Sequence, residues 1–472
     1  MSTNLDSRLL SRRESLRNGA LGFGCLALSS ILGKATLAES SVSARKPLYR
    51  QRAKRVIFLF MKGGPSQVDT FERKPLLNRD HGKPLPFAQP KVTFAKTGNL
   101  LGSPWEFKPY GACGHQVSEL FPNVARHVDD ICFIHSLHGT NPAHGGAVLK
   151  LHTGSDNFVR PSMGSWVSYG LGTENDNLPS FITICPTLAH GGVQNWSSGF
   201  LPAHHQGSSI GNASIASGDA RVRHIANAKW SANQQRRQID LIRELNGRQR
   251  MNFSSHPELD DRINSFELAF RMQNAMPEAQ DVSSESEATQ NLYGLDNPVT
   301  EDFGRQCLMA RRFAERGVRF VQVTHSDTKV QWDQHGNLRN GHQEKAREVD
   351  LPIAGLLTDL KSRGLLEDTL VIWGGEFGRT PTVQGHKMDG RDHNPHGFTV
   401  WLAGGGVKGG FRYGATDEYG YYAKEKPVHL HDFHATLMAL LGLDHEQLTY
   451  RHAGRDFRLT DVYGKVITDI FA

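Results

Sequence analysis

Short apolar runs, rich in β-branched and aromatic residues, punctuate the chain at residues 55–61, 131–136, 180–186, 318–324, 369–373 and 398–403. Their length and lack of alternation predict strands covered on both faces. Between them lie segments of helical period. The pattern predicts short helices over 118–127 and from 147–151 to a close at Thr153-Gly154. It predicts longer ones over 303–316, ending at Gly317, and over 343–363, ending at Gly364, and a last helix over 431–441. Strand, polar loop, helix, strand is the grammar of a doubly wound α/β sheet. One sandwich with a mostly parallel sheet is therefore expected over 50–445.

The remaining stretches read as additions to that sandwich. Residues 72–110, rich in Pro, Lys and Gly, suit a long surface excursion. Residues 189–218 are Gly, Ser, His and Asn in irregular order. Two charged helical patterns fill 228–275 with a break at Ser254-Ser255, and 279–290 are acidic, Ser-rich and expected to be mobile. Together 190–300 read as a helical and loop insertion in a domain spanning 54–472.

Polar residues at the strand ends supply the candidate chemistry. Glu376 closely follows the 369–373 run, and a loop carrying Arg379, Asp392, His393 and His396 leads into the 398–403 run. Trp332-Asp333-Gln334-His335 lies shortly after the 318–324 run. Ligands of open α/β sheets bind beyond the carboxyl ends of the strands, and parallel strands bring such loops to one edge. Asp333, His335, Glu376 and His393 can converge there, and carboxylate with imidazole suits zinc, with manganese or iron as alternatives. Histidines cluster at or after other strand ends too: His135/His138/His144, His325/His335/His342, His386/His393/His396 and His431/His434. Most histidines are ordinary polar residues, so these groups alone decide nothing. Ser66 after Gly63-Gly64-Pro65 reads as a turn or cap residue, with a nucleophile as the alternative. Asp350 reads as a structural anchor. Gly404-Gly405-Gly406 lacks the strand-to-helix context of a nucleotide loop.

Composition adds a compartment. Hydrophobic residues at 38% and charged residues at 22% describe a globular domain with a sizeable core. Arg12-Arg13 precede a weakly apolar stretch, Gly19 to Gly33, too short to span a bilayer. Thr36-Leu37-Ala38 then offers a signal-peptidase site. Residues 1–38 therefore read as a twin-arginine signal, 39–53 as a leader linker, and the product as periplasmic or secreted. The net charge is +6, and the leader holds five Lys/Arg and two Asp/Glu, leaving about +3. No Lys/Arg run or RNA-type aromatic motif points to nucleic acid. Of the cysteines left after cleavage, Cys113 and Cys132 are near enough in sequence for a disulfide, and free thiols fit equally well.

The 356–373 helix–strand stretch resembles the corresponding unit of the alkaline phosphatase superfamily. More closely, the chain resembles an exported sulfatase-like family of unknown function within it. The shared pieces are the twin-arginine leader, Gly63-Gly64-Pro65-Ser66-Gln67 with Asp69, His152-Thr153-Gly154, the Trp332-Asp333/His335 motif, Gly375-Glu376-Phe377-Gly378-Arg379-Thr380 and Gly390-Arg391-Asp392-His393. The resemblance implies an alkaline phosphatase-like three-layer sandwich. It implies one retained metal position at Asp333, His335 and His393. It also marks departures: Met61-Lys62-Gly63 stands where the first strand usually ends in Asp ligands. His144 occupies the nucleophile position, and Glu376-Phe377 replaces an Asp-His pair.

Two functions fit these residues. In the first, a metal-dependent hydrolase acts on phosphate or sulfate esters. Asp333, His335 and His393 bind one divalent ion, and Glu376 is a further ligand or general base. His144, opening a helix, is a nucleophile or acid, and Arg379 grips the anion, with Asp69, Asp392 and His396 as supports. In the second, the same fold has lost catalysis and binds sulfated or phosphorylated glycans. The expected partners are an anionic small molecule or such a glycan, and the twin-arginine translocase during export.

Overall fold

The computed structural model describes residues 50–88, 96–227, 229–250, 257–326, 331–385 and 389–472. The leader, most of the linker, the Ser254-Ser255 break and His386 lie outside them. The first strand, β1 (Arg55–Met61), shows why the run is apolar throughout. Val56, Phe58 and Phe60 enter one core, and Ile57, Leu59 and Met61 enter the other, each at most 1% exposed. Successive side chains of a strand point to opposite faces, so a strand covered on both sides cannot alternate with polar residues.

After β2 (Thr97–Leu100) the chain enters β3 (Ile131–His138) and then β4 (Phe181–Ile184) and β5 (Ser208–Ile210). Later come β6 (Phe320–His325), β7 (Thr369–Gly374), β8 (Gly378–Gln384), β9 (Arg391–Asn394), β10 (Phe398–Ala403), β11 (Phe411–Tyr413) and β12 (Val428–His429). The central nine-stranded sheet has the order β11-β3-β10-β7-β1-β6-β4-β5, with β12 also on β3. β10 runs antiparallel to both β7 and β3, and the other pairings are parallel. A small sheet, β9-β8-β2, stands beside it.

Helices cover both faces. One layer holds α1 (His144–Thr153), α2 (Met163–Leu171) and, near the C-terminus, α7 (Leu430–Leu440). In the insertion lie α3 (Ala232–Arg250) and α4 (Pro257–Gln280). The opposite layer is built on α5 (Glu301–Glu315) and α6 (Leu338–Ser362). The expected three-layer α/β sandwich with a mostly parallel sheet is thus present.

Several local expectations need correction. Residues 118–127 are not one helix: a strand, His115–Ser118, ends there and a 3-10 turn spans Val124–Asp130. Pro122 lies between them and has no N–H to give a helix. Residues 190–300 are not wholly an appendage, because β5 extends the central sheet by pairing with β4. Residues 279–290 are tied down. Glu285 pairs with Arg311 at 2.8 Å and also with Arg312, while Ala279 and Val282 enter the core. Polar composition predicted mobility there, but tertiary ion pairs hold the segment. Cys113, Cys132, Cys185 and Cys307 are all free thiols. Among the described residues, no helix is long and apolar enough to cross a membrane.

Candidate metal centre

The strand directions place the site. β1, β3, β6 and β7 end at one edge, and β10, being antiparallel, begins there. The loops after β1 (Gly63), β3 (His144), β6 (Asp333, His335) and β7 (Glu376) therefore meet the residues just before β10 (His393). Gly63 sits at φ +107°, and a Cβ there would lie 2.8 Å from the backbone nitrogens of Trp332 and Asp333. Only glycine lets these two loops touch.

Asp333 is the hub. Its Oδ1 lies 2.9 Å from His335 Nε2 and 3.0 Å from His393 Nε2, and its Oδ2 lies 3.1 Å from His144 Nε2. The Nε2 atoms of His335 and His393 are 3.0 Å apart. Around an ion with bonds of about 2.0–2.1 Å, tetrahedral ligand atoms sit roughly 3.3 Å from each other. Those four separations are within a few tenths of an ångström of that spacing, and His144, Asp333 and His393 form one compact donor set.

The far side of each ring fixes its proton. His144 Nδ1 donates to Glu376 Oε1 at 2.6 Å, and His393 Nδ1 donates to the Pro142 carbonyl at 2.7 Å. Both partners can only accept, so each ring carries a proton on Nδ1, and its Nε2, facing the Asp333 carboxylate, holds either a second proton or a lone pair free for an ion. A lone pair against a carboxylate repels unless a proton or a metal cation lies between them. His144 Nε2 is in fact buried without a hydrogen-bond partner, and so is His335 Nδ1, 3.8 Å from Asp392. The residues present thus fit a divalent ion.

Charge in the cluster is finely set. Burial opposes the ionised form of Asp333, but the Arg379 guanidinium and the surrounding imidazoles hold its carboxyl well below the usual range. Burial likewise opposes charge on Glu376, and His144 holds it low. Burial opposes protonation of His144, yet Asp333 and Glu376 raise its pKa, so a proton is the natural competitor of an ion. Burial depresses His393.

The structure brings Asp333, His335 and His393 together as expected, and it adds His144 from the inside. His144 was expected as a nucleophile or acid at the rim, but both of its nitrogens face carboxylates. Glu376, expected as a ligand, is 1% exposed and stands behind His144, accepting the Gly63 N–H at 3.0 and 3.2 Å. Arg379 is not at the rim either. Its buried guanidinium donates to the Gly63, Gly64 and Arg391 carbonyls and, at 2.7 Å, to Asp333. Asp69 makes no contact with the four donors; it forms a fully buried pair with Arg391, 2.6 Å from its Nε. Asp392 accepts the His393 backbone N–H at 2.8 Å, and with His335 and His393 it forms an alternative donor set. His396 packs against Tyr421 and Tyr422 instead.

Several other histidines serve the fold. His431 and His434 donate to the Gly154 and Leu151 carbonyls, and His342 accepts the Ser66 N–H. Ser66 itself donates to Asp69 at 2.5 Å, a turn role. One ring at the site, His190, escaped the sequence reading, and another, Phe377, was named there without a role. His190, exposed at φ +54°, stacks on His144 with centroids 5.0 Å apart, and Phe377 lies under His393 at 4.4 Å. His190 lies in no strand-end motif, whereas Phe377 belongs to the 375–380 motif that follows β7.

Residues 53–471 match the model of a family described as Protein of unknown function (DUF1501). No curated protein matches. Among solved structures, Ps i-CgsB is 11% identical over 85% of this chain and 73% of its own, with a TM-score of 0.36. The PsFucS1 sulfatase from Pseudoalteromonas sp. is 11% identical over 90% and 72%, at 0.34. The alkaline phosphatase of the Antarctic bacterium TAB5 is 11% identical over 77% and 94%, at 0.33. Likeness at this level carries no chemistry.

Proposed function

The chain belongs to the DUF1501 family, and we propose that it is an exported metal-dependent hydrolase of phosphate or sulfate esters. One observation carries the reading: His144, Asp333, His335 and His393 converge at the sheet edge, with His144 and His393 turned inward by hydrogen bonds on their far nitrogens. These four would hold one divalent ion, zinc by donor type, with manganese or iron as alternatives. When bound, such an ion supplies Lewis acidity to an ester oxygen and lowers the pKa of a bound water.

The chain's own residues set the rest. Arg379 keeps Asp333 charged rather than gripping the anion. Glu376 and the Pro142 carbonyl hold the Nδ1 protons of His144 and His393, so both rings offer Nε2. With both nitrogens committed to carboxylates, His144 is no nucleophile in this reading. The N-terminus of α1, which opens at His144, faces the developing negative charge with its partial positive charge. Phe377 and His190 wall the donors with ring faces.

That same commitment of His144 favours, as a second reading, a binding protein for anionic glycans on a catalytically lost site. Metal analysis of the purified protein, with turnover of nitrophenyl phosphate and sulfate, separates the two. About one tight equivalent of metal, lost in Asp333→Ala and His393→Ala, with turnover supports the hydrolase. Tight metal without turnover on any ester supports binding. No metal after incubation with zinc, manganese or iron overturns the site itself.

A further inference from the structure

β4 runs parallel to β6, so it ends at the edge where the donors meet, and the loop that follows it carries His190. Three consecutive residues take left-handed backbone there: His190 at φ +54°, Gly191 at +95° and Gly192 at +51°. A Cβ on Gly191 would lie 2.5 Å from Asn195 Oδ1, so the step after His190 needs glycine. The buried Asn195 amide donates to the His190 carbonyl at 3.1 Å. Trp196, 4% exposed, anchors the 3-10 turn Gly192–Trp196, which packs against α1. Strained backbone at a non-glycine residue persists only where its surroundings hold it, and it gathers at ligand sites.

This loop holds a ring over a donor. Three rings pack on His144: His393 at 4.4 Å, Phe377 at 4.9 Å, and His190 at 5.0 Å and nearly parallel, at 13°. Phe377 and His393 are almost fully covered, whereas His190 is exposed, so it marks the solvent side of the His144 ring. Among the described residues nothing hydrogen-bonds the His190 ring nitrogens. An imidazole carries at least one N–H whether neutral or charged, so a free donor stands there in either state. The carboxylates of Asp333, Glu376 and Asp392 only accept, and Arg379 is spent on three carbonyls and Asp333. An ion on His144 Nε2 lies in the plane of that ring. An oxygen bound to it about 2 Å out of the plane, with a hydrogen bond of about 2.9 Å, spans a separation like the 5.0 Å between the two rings.

We propose that His190 is an anion-binding residue of this site. Its ring N–H donates to an oxygen of a phosphate or sulfate group held on the ion, whether that group is free or part of an ester. This role rests on the metal centre above and does not require turnover.

Calorimetry with inorganic phosphate and inorganic sulfate tests this on the mature full-length protein, loaded with zinc and freed of the excess. At least one of the two ions should bind wild type, and the tighter one points to the ester class. His190→Ala and His190→Phe should each weaken that binding about tenfold or more, the worth of one hydrogen bond to a charged group. His190→Gln keeps a side-chain N–H and should recover part of the loss. Zinc content should stay at one equivalent in all three variants. The role is overturned if neither ion binds zinc-loaded wild type, or if the loss of binding only follows a loss of zinc. It is overturned equally if His190→Phe binds as tightly as wild type, since the stacked ring alone would then suffice. A protein that takes up no zinc overturns the centre and this role together. Turnover of nitrophenyl esters with anion binding untouched in His190→Phe sinks the role and spares the hydrolase. Anion binding that depends on His190 in a protein without turnover does the reverse.

Discussion

Replacing Arg391 by methionine tests how the site is held. Arg391 grips Asp69 through Nε at 2.6 Å and Nη2 at 3.0 Å, and both residues are fully buried. In the variant the Asp69 carboxylate keeps the Ser66 hydroxyl as its side-chain donor. Removing one partner of a buried pair costs about 3–5 kcal/mol, because the other charge stays desolvated. For a domain of this length one kcal/mol moves the melting temperature roughly 1 °C, so a fall of roughly 3–6 °C is expected in calorimetry of the metal-stripped protein. The double variant Asp69→Leu/Arg391→Met carries no stranded charge and should recover much of the loss. Because β9 carries Arg391 two residues before His393, the single variant should also weaken metal binding about 10–100-fold. Burial disfavours the charged Asp69, yet Arg391 holds its pKa below the ordinary value. The pair's contribution is therefore full above the unfolded carboxylate value near 3.9 and fades as pH falls below it. A single variant within about 1 °C of wild type, or a double variant as unstable as the sum of its parts, would refute this account.

Glu376→Gln removes a charged acceptor of His144 and of the Gly63 N–H, and metal affinity should drop about 10–100-fold in competition with a chromogenic chelator. Gly63→Ala sets a Cβ against the Trp332 and Asp333 backbone at a left-handed φ. It should cost about 1–3 kcal/mol in denaturant unfolding and loosen metal binding too; an unchanged protein would deny the close approach. Burial pushes His135 and His434 down to about 3 and His152 down to about 4. The folded chain thus stays neutral at these rings while the unfolded chain takes up protons below about 6.5, so stability should fall as pH drops from 7 to 5. His434→Gln should flatten that slope, and an unchanged slope would count against the burial argument. Arg12→Lys/Arg13→Lys should trap the precursor in the cytoplasm, read by fractionation; normal processing after Ala38 would exclude the twin-arginine route.

The sequence by itself determined the sandwich and the edge on which the site lies. Strands such as 55–61 are apolar on both faces because helices must cover both, and that requirement is written locally. Asp333, His335 and His393 were legible because each borders a strand run, and a mostly parallel sheet gathers such loops. Only the tertiary structure decided what each polar residue does there. Whether Glu376 meets an ion or the far nitrogen of His144 depends on a few ångströms of loop position. That position is fixed by the Gly63–Trp332 backbone contact and by the pair between Asp69 and Arg391, which are distant in sequence. Arg379 looked like an anion grip because arginine so often is one. Its burial under three carbonyls and Asp333 arises from packing that no local pattern encodes. The same holds for residues 279–290, whose polar composition predicts mobility until Arg311 and Arg312, on another helix, pair with Glu285.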